Sequence, residues 1–544
     1  MKKYAPISAV LLALAIIWGC ASVQTQGPGW PEKIAVDGGM ISGQANGDIE
    51  AFKGIPYVKA PVGPLRWKPP EPVEAWEGVR ETTEYGAACL QPDLPGMPMK
   101  QAKRSEDCLY LNVWTAAKNA SEKRPVMVWI HGGGNVIGSA DFGAPPGTHP
   151  ENLAEQGVVV VSFNYRLGPF GYFAHPLLSK ESPHNVSGNY GLLDQIAALK
   201  WVQKNIKKFG GDPKNVTIFG ESAGSHDVGY LMASPLANGL FHRAIGESGS
   251  VYVWYMNRHL RERWYDMEPM EKQGERVTKD LGCAEAADPL AALRALSGEE
   301  LLAGTKPVMF SPGNIFPPVI DGWVLPDDAM TIFDQGKQNK VPLIAGSNAD
   351  EENIFLPKAP FPTVDVYRGF LKSPQGYGAF GDDVFALYPA KESSDILQSF
   401  RDVSTDSRMV GPTRNLVRAV SKTGGKAYMY QFTMVYPGGP LAALGAFHSG
   451  ELPFVMNELE RVGNATHTPF EAKHQALADT MSGYWVQFAK TGNPNKEGLP
   501  EWPVYDLSKD QYMELGEVVR VGEGLRKEKL DLWDNFNADK RKTR

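Results

Sequence analysis

Apolar runs and stretches of helical periodicity alternate along most of this chain. Residues 125–130 and 158–161 are continuous apolar runs, as expected of parallel strands buried on both faces. Between Asp194 and Phe209 the apolar residues Ile196, Leu199, Val202 and Ile206 recur at helical spacing, and Gly210-Gly211-Asp212-Pro213 ends that helix. Residues 216–219 read as the next buried strand, and 244–245, 343–345 and 427–432 as later strands of the same sheet. Short strands are expected around 33–36 and 41–43. A proline-bearing extended segment runs from Phe52 to Pro70, and residues 105–114 end as a strand. Residues 253–302 read as a mainly helical insertion and 383–420 as further helices. Strands alternating with helices predict an α/β fold: a large, mostly parallel central sheet, helices on both faces and long helical insertions.

Composition narrows the organisation. The chain has 544 residues, 42% hydrophobic and 22% charged. Its length as a prior suggests several domains, but no linker, repeat or low-complexity tract divides it. The expectation is one domain over 32–535, with a basic tail at 536–544 read as a frayed end. A net charge of -7 and the lack of a long Lys/Arg block give no reason to expect nucleic acid. Lys2 and Lys3 precede an apolar run ending Ile17-Trp18-Gly19-Cys20. This resembles a bacterial lipoprotein signal over 1–20, with Cys20 lipidated and 21–31 as a tether. The alternative is cleavage after Ala21 and a soluble secreted protein. Export changes the reading of the cysteines: Cys89 and Cys108 are close enough in sequence to bridge in an oxidising compartment, and Cys283 is left over as a reduced, structural residue.

Candidate chemistry begins at Gly220-Glu221-Ser222-Ala223-Gly224. Strand, sharp turn and helix around G-x-S-x-G leave a serine exposed in a strained conformation. A serine nucleophile needs a base, and the base an orienting carboxylate. His448 lies in a small-residue loop beyond the 427–432 strand and suits the base. His474 reads as a surface residue on a helix, and His226 as pointing away from the nucleophile or supporting it. The strand at 343–345 runs into Asp350-Glu351-Glu352, three carboxylates between which chemistry alone does not choose. His131-Gly132-Gly133-Gly134 follows a strand, as an oxyanion loop does, and the N–H of Ala223 offers another donor.

These motifs, in this order, resemble the type-B carboxylesterases, the family of cholinesterases and p-nitrobenzyl esterases. The resemblance also covers Phe52-Lys53-Gly54-Ile55-Pro56-Tyr57, Glu106-Asp107-Cys108-Leu109-Tyr110-Leu111-Asn112, Phe241-His242-Arg243-Ala244-Ile245 and Pro318-Val319-Ile320-Asp321-Gly322. It implies an α/β-hydrolase fold and a serine hydrolase that cleaves carboxylic esters through an acyl-enzyme. The family's Gly-x-Asn-x-Asp-Glu pattern falls on Gly346 to Glu351, so Glu351 matches the catalytic acid, with Asp350 second. A glycine usually follows; here Glu352 stands there. The triad implied is Ser222, Glu351 and His448, with Gly133, Gly134 and Ala223 as oxyanion donors. Glu221 matches a carboxylate that tunes the site, Ser248 a serine that buttresses the triad, and Cys89–Cys108 the family's first disulfide. Its second disulfide has only Cys283 here.

The same comparison implies a small-molecule ester substrate, of broad range, and no metal or organic cofactor. Cholinesterases carry a tryptophan between the two cysteines, whereas residues 90–107 hold no aromatic residue, which argues against choline esters. The acyl-pocket aromatics of acetylcholinesterase fall near Pro312 and Asn314, so a wider acyl pocket is expected. Oligomeric state is left open, and the lipid anchor is the only membrane contact expected. An unperturbed histidine base would titrate at about 6–7.

Overall fold

The computed structural model describes residues 33–93, 103–141, 149–265, 267–308 and 315–543. The signal, the tether, Cys20 and the positions 312 and 314 lie outside the described residues.

Eleven strands form the central sheet: β1 (Gln44–Asn46), β2 (Ile49–Pro56), β3 (Tyr110–Thr115), β4 (Arg124–Ile130), β5 (Val159–Phe163), β6 (Gly211–Glu221), β7 (Arg243–Glu247), β8 (Leu343–Asn348), β9 (Ala427–Phe432), β10 (Gln511–Leu515) and β11 (Arg520–Glu523). Their spatial order is β11-β10-β9-β8-β7-β6-β4-β5-β3-β2-β1. From β5 through β10 every pairing is parallel. Antiparallel strands close both edges. The sheet is therefore mixed, with a parallel centre, and the nucleophile motif ends its most central strand.

The continuous apolar runs have a simple cause. Alternate residues of one strand point to opposite faces, and both faces are covered. Val126, Val128, Val159, Val161, Val216 and Ile218 enter one core, while Met127, Trp129, Val160 and Phe219 enter the other. Each fully buried aliphatic side chain contributes about 1.5–3 kcal/mol. The first core is closed by helices α1 (Tyr190–Asn205), α2 (Ala223–Ala233), α3 (Gly411–Lys422) and α5 (Lys527–Lys540). The second is closed by α4 (Ala472–Thr491), through Leu477, Met481, Trp485 and Phe488. The insertion expected at 253–302 contains three helices, Met270–Asp280, Pro289–Ala295 and Gly298–Thr305.

Two expectations need correction. His474 is buried, not on the surface. It stands in the first turn of α4, where its Nδ1 accepts the Glu471 N–H at 2.9 Å and satisfies a donor that the helix start leaves open. Residues 536–540 are not a frayed tail. They continue α5, Phe536 is buried, and Arg541 reaches Asp334 at 2.6 Å. An amphipathic stretch rich in lysine hides its apolar stripe from a reading by charge alone.

Candidate active site

β6 enters a turn at Ser222, whose backbone sits at φ 57°, ψ -122°, a conformation L-residues rarely adopt. Space explains the flanking glycines. A methyl on Gly220 would lie 2.6 Å from the Ile130 carbonyl oxygen, and one on Gly224 2.0 Å from the same atom. The turn is pinned by the Ser222 N–H, which donates to the Glu247 carbonyl at 2.8 Å. α2 starts at Ala223, so the first N–H groups of that helix point at the space beside the serine.

The glycine loop closes over this turn. A methyl on Gly132 would meet the Glu221 carbonyl at 2.7 Å and the Ser222 Cβ at 3.0 Å. Gly133 and Gly134 have φ of 103° and 65°, and the Gly133 carbonyl accepts from Val136 and Ile137 at 3.1 and 3.0 Å. Among the described residues, the N–H groups of Gly133, Gly134 and Ala223 have no hydrogen-bond acceptor.

A buried polar scaffold that no sequence motif announced holds the loop. His131 stacks on Tyr165, ring centroids 4.3 Å apart, and burial pushes its imidazole down to about 4, so it is neutral. The Tyr165 hydroxyl donates to the His131 carbonyl at 2.7 Å. Asn135 and Gln195 both donate to Asp227, at 3.1 and 2.6 Å, and burial pushes that carboxyl up to about 7. Only the nearness of Asn135 and Asp227 to the two motifs hints at this.

The acidic loop after β8 resolves into three different roles. Glu351 is fully buried; its Oε1 accepts the Asn348 N–H at 2.7 Å and its Oε2 lies 2.6 Å from His448 Nδ1. Asp350 instead accepts the Ala446 N–H at 2.9 Å and ties down the histidine loop. Glu352 faces Arg408. His448 Nε2 lies 3.1 Å from Glu221 Oε1, which also accepts the Ser449 hydroxyl at 2.6 Å. No hydrogen bond joins His448 to the Ser222 hydroxyl among the described residues. Ser248, at φ 53°, reaches neither Glu351 nor His448; its hydroxyl is 3.5 Å from Glu451 Oε1. His226 is close after all: its Nδ1 lies 2.9 Å from the Ser222 carbonyl, and burial pushes it down to about 4.

Electrostatics here depart from the sequence expectation. Burial opposes charge on His448, but Glu221 first, then Glu351 and Glu451, overcome it and hold the imidazole up to about 10. The expected value of about 6–7 could not include carboxylates that arrive from distant loops. Burial in turn raises Glu221, against the pull of His448. Glu247, buried and held by the Trp485 indole N–H at 2.8 Å, is pushed up to about 8. Burial also raises Glu451, which accepts from the Asn348 side-chain amide. Four acids pack behind one imidazole, and crowding in a dry site disfavours ionising them all. Cys89 and Cys108 form a disulfide, and Cys283 is free and buried.

Comparison with known proteins agrees along the whole chain. The Carboxylesterase family model matches residues 31–533. A fumonisin B1 esterase from Sphingopyxis macrogoltabida is 37% identical over 494 residues, covering 90% of this chain and 87% of the relative. A para-nitrobenzyl esterase from Bacillus subtilis (strain 168) is 37% identical over 476 residues, covering 86% and 91%. Among solved structures, a PNB esterase superposes with a TM-score of 0.78 at 33% identity, covering 92% of this chain and 99% of that one. A carboxylesterase from Geobacillus stearothermophilus superposes with a TM-score of 0.76 at 33% identity, covering 92% and 100%. With this match in sequence and in the α/β-hydrolase sheet, the chain belongs to the carboxylesterase family and is a carboxylic ester hydrolase.

Proposed function

We propose that Ser222, His448 and Glu351 hydrolyse carboxylic esters in two steps. Ser222 Oγ bonds to the ester carbonyl carbon while His448 Nε2 takes its proton. Glu351 keeps the imidazole oriented and stabilises the imidazolium. The N–H groups of Gly133, Gly134 and Ala223 receive the negative oxygen, which is worth about 3–4 kcal/mol of barrier per good donor. The C–O bond to the alcohol breaks as His448 returns the proton to it. Water then repeats the sequence and frees the acid. For this cycle Nε2 exchanges Glu221 for the Ser222 hydroxyl; catalytic hydrogen bonds often tighten only once substrate is bound. Glu221 and Ser449 hold the ring until then, and Ser248 acts at a distance through Glu451.

The observation that carries this reading is the 2.6 Å contact between Glu351 and the buried imidazole of His448. A burst assay tests it, using p-nitrophenyl acetate, butyrate and octanoate with the native enzyme and Ser222→Ala. A burst and turnover that vanish in the variant are expected; equal slow release by both proteins would refute it.

The named relatives act on a fumonisin and on para-nitrobenzyl esters, which supports a small-molecule ester substrate and a broad range. For location, the reading is a lipoprotein of a bacterial cell envelope anchored through Cys20. A Cys20→Ser variant should leave the membrane fraction, and one that stays would refute the anchor.

A further inference from the structure

Beside the imidazole stands a cation that ester hydrolysis as derived above does not use. Glu352 follows Glu351 in the same short turn, Glu351–Asn353, yet faces Arg408. Phe355 packs its ring 5.1 Å from that of His448, so this turn forms a wall of the site. The Arg408 charge reaches the same place, since it acts on His226, whose Nδ1 touches the Ser222 carbonyl at 2.9 Å.

Arg408 presents a fork held from two sides. Its Nε donates to the Tyr255 hydroxyl at 3.0 Å. Its Nη1 lies 3.4 Å from each Glu352 oxygen, beyond the roughly 2.7–2.9 Å of a closed ion pair. Glu352 is 1% exposed and Arg408 25% exposed, so the accessible part of the pair is the guanidinium. Burial also pushes Glu352 toward its neutral form, which leaves the positive charge less cancelled. Arg408 sits in a π-helical turn, Asp406–Val410. The extra residue of such a turn rotates the downstream helix by about 100°. The turn is pinned by Asp406, which accepts from Tyr388 at 2.8 Å and Arg526 at 2.5 Å. A planar, permanently charged fork fixed in this way matches a carboxylate better than any neutral ester group.

We propose that Arg408, steered by Tyr255 and Glu352, binds a second, ionised carboxylate on the ester substrate, so that the enzyme favours half-esters of dicarboxylic acids or esters of carboxylated alcohols. This rests on the Ser222–His448 reading for the position of the scissile bond. A charge-assisted contact of this kind corresponds to about 10–100-fold in selectivity.

The test compares kcat/KM for mono-p-nitrophenyl adipate and p-nitrophenyl hexanoate, which differ by the carboxylate on the acyl side. A second pair, 4-carboxyphenyl and 4-carbamoylphenyl butyrate, places the charge on the alcohol side. In at least one pair the charged-to-neutral ratio should fall about 10–100-fold in Arg408→Gln. Because that change strands Glu352, the double variant Glu352→Gln/Arg408→Gln keeps the buried pair uncharged and should show the same fall. Calorimetry with Ser222→Ala and monomethyl adipate reads the subsite without turnover, and binding should weaken about 10–100-fold when Arg408→Gln is added. Ratios and affinity that do not depend on Arg408 overturn the subsite while neutral-ester turnover keeps the triad reading. Arg408-dependent binding in a native enzyme that hydrolyses neither ester overturns the triad reading and keeps the subsite.

Discussion

Replacing Glu221 by Gln removes the carboxylate nearest the reactive nitrogen of His448 while keeping the size and an acceptor oxygen for the Ser449 hydroxyl. Glu221 Oε1 lies 3.1 Å from Nε2, and both side chains are buried. An imidazole held up to about 10, against an ordinary 6.5, reflects about 5 kcal/mol of preference for the charged form. That preference is shared by Glu221, Glu351 and Glu451 and opposed by burial. An opposite charge at this distance moves a pKa by about 1–3 units. Glu221→Gln should therefore lower the acid limb of kcat/KM by about 1–3 units. The native enzyme should lose its base form already well above about pH 6.5. A pH–rate profile on a neutral p-nitrophenyl ester, with both proteins checked for stability at each pH, measures this. Stability gives an independent sign. The folded-state pKa is raised, so the stabilisation from the imidazolium is complete below about 6.5 and fades as pH rises toward about 10. Glu221→Gln should flatten that part of the curve. Superimposable acid limbs in the two proteins would refute the coupling of Glu221 to His448.

Two further outcomes rest on the same geometry. Glu351→Gln keeps a group at the 2.6 Å contact but removes the charge that orients Nδ1–H, and kcat should fall about 10⁴-fold, read by steady-state kinetics with a matched circular dichroism spectrum. Changing Cys89 and Cys108 together to Ser should cost about 3 kcal/mol of stability through the freed loop, measured by denaturant unfolding, with the activity at about 25 °C largely kept.

Much of the fold was legible because both of its cores print on the sequence. Strands buried on two faces read as unbroken apolar runs, and 125–130, 158–161 and 216–219 all fall on strands of the central sheet. The amphipathic period of α1 and the stop at Gly210, which adopts φ 77°, were equally local signals. His474 and the end of α5 were misjudged because charge and polarity were read without the surfaces that cover them. His474 is buried by capping its own helix, and Arg541 is held by Asp334, 207 residues away in the chain.

The site divides along the same line. Local chemistry determined the strained serine, the glycine loop and the presence of an acid and a histidine after their strands, because each depends on a few adjacent residues and the turn they allow. Tertiary structure alone decided among Asp350, Glu351 and Glu352. Three neighbouring carboxylates have nearly equal intrinsic chemistry, and only the loops that meet them send one to Ala446, one to His448 and one to Arg408. It alone decided that Ser248 reaches Glu451, and that His448 carries so high an affinity for its proton. Those properties come from charges brought within a few ångströms from distant parts of the chain into a buried site, and the strength of such an interaction depends on distance and burial, which no linear order of residues specifies.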